Sequence, residues 1–188
     1  MTARTKKGSK EKGRRFERLI AGECEAAFPG AQVYRESQAG GATGTPDVAV
    51  ENWLHLECKD RDSVSWLGAL RQAMADSEGS GRIPIAVIKD ARCKRGRVTP
   101  VVALMRWEDW DEAIQAHVKE RGEWPMMPPG NVKLDERKRP NWKPATDEAP
   151  GAVFAIAADP PAVAVSWPWL LTEVLVPLWK AGNAGAKP

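Results

Sequence analysis

Segment 45–60, TPDVAVENWLHLECKD, restricts the fold more than any other stretch, because apolar residues recur at every second position on both sides of a short turn. Val48 and Val50 alternate with Asp47 and Ala49, and Leu54, Leu56 and Cys58 alternate with His55, Glu57 and Lys59. That period is the signature of two half-buried β-strands. Directly opposed residues of antiparallel strands share a face, so the length of the turn decides which side chains meet. A three-residue loop of Glu51, Asn52 and Trp53 sets Val50 against Leu54, Val48 against Leu56 and Asp47 against Glu57, leaving one face uniformly apolar. A two-residue turn would oppose Asp47 to Leu56 and mix acids with core residues on both faces, so the patterning selects the odd register.

The second face then carries Asp47, Ala49, His55, Glu57 and Lys59. Two carboxylates brought close together repel unless they are protonated or bridged by a cation, and oxygen ligands suit Mg²⁺ or Mn²⁺. Lys59, on the same face as Glu57, could hold a nucleophilic water or neutralise a phosphate in a transition state. The plainer alternative is a cross-strand charge cluster on a solvated face.

At 188 residues, 43% hydrophobic and 28% charged, the chain is long enough for one medium globular domain with appendages. Its net charge is only +3, but Arg4, Lys6, Lys7, Lys10, Lys12, Arg14, Arg15 and Arg18 crowd the N-terminus. Such an arm is either a solvated tail or the footprint for a phosphate backbone, and Lys6, Lys7, Lys10, Lys12, Arg14 and Arg15 are the candidate DNA contacts. More charge follows this start rather than an apolar run, so no signal peptide is expected and the chain is expected to stay inside the cell. Cys24, Cys58 and Cys93 are odd in number and lack metal-ligand spacing, which argues against a disulfide framework or a zinc site and for a reducing compartment.

Residues 10–28 read as the first helix, ended by Pro29 and Gly30. Phe16, Ile20, Cys24, Ala27 and Phe28 fall on one stripe, and Glu17 falls inside it. A carboxylate among core residues is costly unless something pairs with it. Glu17 therefore reaches either toward a metal, a water or a basic group, or into a salt bridge with Arg14 or Arg18. Residues 33–36 form a short strand, and SQAGGATG at 37–44 is a glycine-rich connection without the lysine and following helix of a Walker loop. Residues 63–77 form a second helix capped by Asp62 or Ser63, with Leu67, Leu70 and Met74 inward and Gln72 away from that face. Gln72 is either an ordinary exposed glutamine or a DNA contact. A strand at 83–89, a basic turn with Arg92, Lys94, Arg95 and Arg97, a strand at 98–105 and a helix at 107–119 follow. The basic turn is a second candidate phosphate contact or a solvated hairpin tip.

Residues 120–151 are proline-rich and polar, reading as a linker, and 152–188 form an apolar extension with a hairpin around Asp159-Pro160-Pro161 and a short helix at 167–175. Its prolines, with Asp159 and Glu173, exclude a membrane span. The strand, turn, strand and Trp-led helix of 84–119 recur at 152–179, although two similar hairpins arise readily by chance.

The order helix with Glu17, strand, strand with Pro46-Asp47, strand with Glu57-Cys58-Lys59, helix, strand resembles the PD-(D/E)XK nuclease superfamily. KGRRFERL at 12–19 and the GxxGTPDVAV approach resemble archaeal-type and phage Holliday junction resolvases. The resemblance covers roughly residues 10–105. It implies an α/β, restriction-endonuclease-like core with a mixed central sheet, placed at 13–119 behind a basic arm at 1–12. It further implies that Asp47, Glu57 and the main-chain carbonyl of Cys58 bind Mg²⁺ or Mn²⁺, that Lys59 orients the attacking water, and that Glu17 supports metal or water. Gln72 is the possible match to the family's glutamine. The expectation is a metal-dependent endonuclease acting as a homodimer on branched DNA in the nucleoid. Its rivals are a repair or restriction nuclease on linear or sequence-specific DNA, and a non-catalytic DNA-binding protein with the same fold.

Overall fold

From Lys6 onward the basic run at the N-terminus is helical. In the computed structural model α1 spans Lys6–Ala27, starting ahead of the position that periodicity suggests. Lysine and glutamate are good helix formers, and the early turns are tied down: Lys12 Nζ lies 2.9 Å from Asp60 Oδ1, and Arg18 Nη2 lies 2.9 Å from Glu11 Oε1. The structure describes residues 6–35, 44–91, 101–121, 153–156 and 161–183. The side chains of Lys6 and Lys7, most of the glycine-rich connection, Arg92, Cys93, Lys94, Arg95, Arg97, nearly all of the proline-rich linker and the Asp159-Pro160 turn lie outside the described residues.

The chain divides into two compact units, Met1–Val101 and Val102–Pro188. In the first, α1 is followed by β1 (Val33–Tyr34), β2 (Val48–Val50), β3 (Leu54–Arg61), α2 (Trp66–Ser77) and β4 (Ile83–Asp90). The strands lie in the order β1-β2-β3-β4. The first three form an antiparallel meander, and β4 runs parallel to β3, with α2 making the crossover. The unit is thus α/β with a mixed sheet. The hairpin register is the odd one, with Val48 opposite Leu56, Ala49 opposite His55 and Val50 opposite Leu54.

The turn closes through the Trp53 N–H, which donates to the Val50 carbonyl at 3.0 Å. Glu51 takes the left-handed conformation there, with φ of 47°, which disfavours a side chain. Its backbone is held on both sides, the N–H donating to Gln32 O at 2.8 Å and the carbonyl accepting from Arg82 Nε at 2.9 Å. Phe28 meets Trp53 edge to face at 5.4 Å and joins the end of α1 to this turn.

Phe16, Ile20 and Cys24 of α1 and Phe28 just past its end are buried, as are Val48, Val50, Leu54 and Leu56. Each large side chain of this set contributes about 1.5–3 kcal/mol by leaving water. Helix α2 starts later than the sequence suggests, and its cap is Ser65 rather than Asp62 or Ser63: Ser65 Oγ accepts the Gly68 N–H at 3.2 Å. Val64 is buried, which keeps the chain extended against the core one residue short of the cap. Leu67 and Leu70 face inward as expected, Met74 is only half-buried, and Trp66, Ala69 and Ala73 complete the inner face. Gln72 is exposed.

The second unit, which begins at the second residue of β5 (Val101–Arg106), continues with α3 (Trp107–Arg121), β6 (Val153–Ile156), β7 (Ala162–Ser166) and a helical run. That run comprises α4 (Trp167–Trp169), a π-helical stretch over Leu170–Leu175, and α5 (Val176–Asn183). Strand β7 pairs antiparallel with both β5 and β6. The expected hairpin is therefore present, and the helix after it runs on past 175. Its widened turns end just ahead of Pro177, whose missing N–H interrupts the regular ladder. Trp110 packs on Trp169 at 6.3 Å. Among the described residues no helix is long and apolar enough to cross a membrane.

Candidate functional site

Residues on both faces of the β2–β3 hairpin are buried, which goes against the alternative of a charge cluster on a solvated face. Helix α1 packs on β2 and β3, and α2 packs on β3 and β4. Asp47 is 6% exposed, Glu57 1% and His55 0%, so the acids are buried groups and not a surface cluster.

Asp47 Oδ2 accepts the Cys58 N–H at 2.8 Å. This bond explains how an acid at the end of β2 is held against β3. The alternation of the ladder would bring Pro46 opposite Cys58, and proline has no N–H to give, so the carboxylate takes the Cys58 amide and no ladder bond from Pro46 reaches the Cys58 carbonyl. N–H and C=O of one strand residue point to the same edge, which turns that carbonyl toward Asp47. Lys59 Nζ is ion-paired with Glu57 Oε1.

Burial pushes the Asp47 carboxyl above its ordinary range, opposed by the Cys58 N–H and the Lys59 charge and reinforced by Glu17 and Asp76. Glu57 is pushed up to about 7, first by burial, then by Asp47, with Lys59 pulling the other way and Asp76 adding to the rise. Two buried acids that resist ionisation in each other's presence have a strong demand for a cation or a proton. Asp47, Glu57 and the Cys58 carbonyl supply hard oxygen donors that could hold Mg²⁺ or Mn²⁺. Among the described residues no three His, Cys, Asp or Glu side chains converge as a metal cluster.

Glu17 is placed near this pair, since its charge acts on Asp47, but its partner is neither Arg14 nor Arg18. Arg35 Nη2 lies 3.0 Å from Glu17 Oε2, and Arg18 turns to Glu11. Lys10, Arg14 and Arg15 are exposed on α1. Lys12 is engaged by Asp60 and, at 3.5 Å, by Asp62. Gln72 lies exposed on α2 and is not brought into the carboxylate pair.

Arg35, Asp76 and His55 are the neighbours that sequence patterning did not single out. Only His55 carried a signal, being on the polar face by period. It is fully buried, burial lowers its pKa, and neither ring nitrogen has a hydrogen-bond partner among the described residues. Comparison with family models, with curated proteins and with solved structures finds no match for the chain.

Proposed function

We propose that the protein is a metal-dependent deoxyribonuclease with a restriction-endonuclease-like core, cleaving phosphodiester bonds within branched DNA. The observation that carries this reading is the burial of Asp47, just ahead of β2, and of Glu57 on β3 within electrostatic reach of each other, with Lys59 ion-paired to Glu57. A bound Mg²⁺ or Mn²⁺ would supply charge neutralisation and an activated water. Asp47 and Glu57 hold the cation position, and Asp47 is fixed in turn by the Cys58 amide. Lys59 presents an ammonium at the same point, where it donates to the attacking water or to a non-bridging phosphate oxygen as charge builds up there. Exposed Lys10, Arg14 and Arg15 offer phosphate contacts on one helix. The preference for branched substrates rests on the likeness of segments 12–19 and 41–50 to Holliday junction resolvases.

The test is cleavage of four-way, forked, linear duplex and single-stranded DNA by one preparation with Mg²⁺ or Mn²⁺. The four-way junction should be cut fastest. Asp47→Ala and Glu57→Ala should lose cleavage while binding DNA as well as or better than the unaltered chain, because each removes negative charge that repels phosphate. A variant that cleaves at the normal rate refutes the site; preference for linear DNA refutes only the substrate.

A further inference from the structure

Helix α2 ends with an acid in an unfavourable place. Asp76 is the penultimate residue of α2, and the last turn holds no basic residue, so its charge meets the negative end of the helix dipole. It also adds negative charge beside Asp47 and Glu57, raising the proton affinity of both. What it gains is one bond: Asp76 Oδ1 accepts the Gly44 N–H at 3.1 Å.

Gly44 enters the site segment with φ of +98°, a conformation that glycine takes at little cost. Two stiff residues then lead to Asp47. Pro46 has its φ locked by the ring, and Thr45 is confined to extended backbone because a proline follows it. The orientation of Gly44 is therefore passed on to Asp47, whose carboxylate must reach the Cys58 amide at 2.8 Å. We propose that Asp76 is a positioning residue for the site: its carboxylate holds the Gly44 amide and thereby fixes the turn that delivers Asp47 to Cys58 and Glu57. Its importance for catalysis rests on the function proposed above, whereas the mechanical link does not.

Amide hydrogen exchange of the full chain without metal, read by NMR, tests the link directly. In Asp76→Ala both the Gly44 and the Cys58 amides should exchange about tenfold faster or more, the loss expected of a hydrogen bond to a charged group. Asp76→Asn keeps an acceptor oxygen and loses only the charge, so both amides should stay within about fivefold of the unaltered chain. Gly44→Ala strains the same link from the loop side. Its added Cβ would only touch the Asp76 carbonyl at 3.7 Å, so the strain is in the backbone, and Cys58 should again be deprotected should Asp76→Ala fail to fold. Faster exchange at Gly44 with Cys58 unchanged overturns the proposal, as does an Asn variant as impaired as the Ala variant. In cleavage assays, Asp76→Ala should raise the Mn²⁺ needed for half-maximal rate about tenfold or more, whereas Asp76→Asn, which loses the charge but keeps the bond to Gly44, should raise it only severalfold, as Glu17→Gln should. An unaltered chain inert toward DNA would refute the proposed function and leave the exchange result to decide the link.

Discussion

Glu17 shows what burial does to a single charge. It falls in the apolar stripe of α1, and the helix alone offers Arg14 and Arg18 as partners, yet the ion pair forms with Arg35, which follows β1. Helical spacing could identify the anomaly but not its solution, because Arg35 is brought in by the chain reversal after α1. The pair is partly exposed, so breaking it should cost at most about 1 kcal/mol. Glu17→Gln should therefore leave the melting temperature nearly unchanged. Because Glu17 places negative charge near Asp47, the same variant should need severalfold more Mg²⁺ for half-maximal cleavage. A normal Mg²⁺ titration would remove Glu17 from the site, and a large fall in melting temperature would make it a structural residue.

At the level of elements, the hairpin was legible because two constraints coincide: period-two burial on both strands and an odd turn that aligns the apolar sets. The turn has its own signature in the left-handed Glu51. Glu51→Gly should keep the register and raise stability by a few tenths to about 1 kcal/mol, since glycine adopts that conformation freely. Glu51→Val should lower it, because a β-branched residue is most strained there. Equal denaturation midpoints for the two would contradict the turn geometry. The covering of the polar face was not legible. Alternation of Asp47, Ala49, His55, Glu57 and Lys59 looks the same whether that face meets water or a helix. The small inner residues Ala69 and Ala73 of α2 give no strong periodic signal of the sheet face they cover. The start of α2 is not fixed by sequence for a related reason, since three candidate caps lie within four positions and buried Val64 decides among them. Nothing in the chain marked Asp76, whose bond to Gly44 spans 32 residues, across β2 and β3.

For the whole molecule, the central claim is that folding buries two acids which only a cation or a proton can reconcile. Glu57 rises from an ordinary 4.5 to about 7 on folding. A carboxyl whose folded pKa is raised favours the native state below its unfolded pKa and loses that contribution as pH climbs through the folded value. The window is therefore about pH 4.5 to 7, and at pH 8 the cost is on the order of 3 kcal/mol. Acid weakens other ion pairs, Lys12–Asp60 among them, so the informative quantity is the difference between the unaltered chain and Glu57→Gln, which cannot ionise there. A cation held by Asp47 and Glu57 replaces the proton, so it should act at high pH and lose its effect as the acids protonate. The most direct measurement is thermal melting of both proteins at pH 5 and pH 8, with and without Mn²⁺. Without metal, the unaltered chain should melt below Glu57→Gln at pH 8 and draw level with it at pH 5. Mn²⁺ should raise the melting temperature of the unaltered chain at pH 8 and leave Glu57→Gln nearly unmoved. Equal melting of the two metal-free proteins at pH 8, with no response to Mn²⁺ in either, would contradict the account.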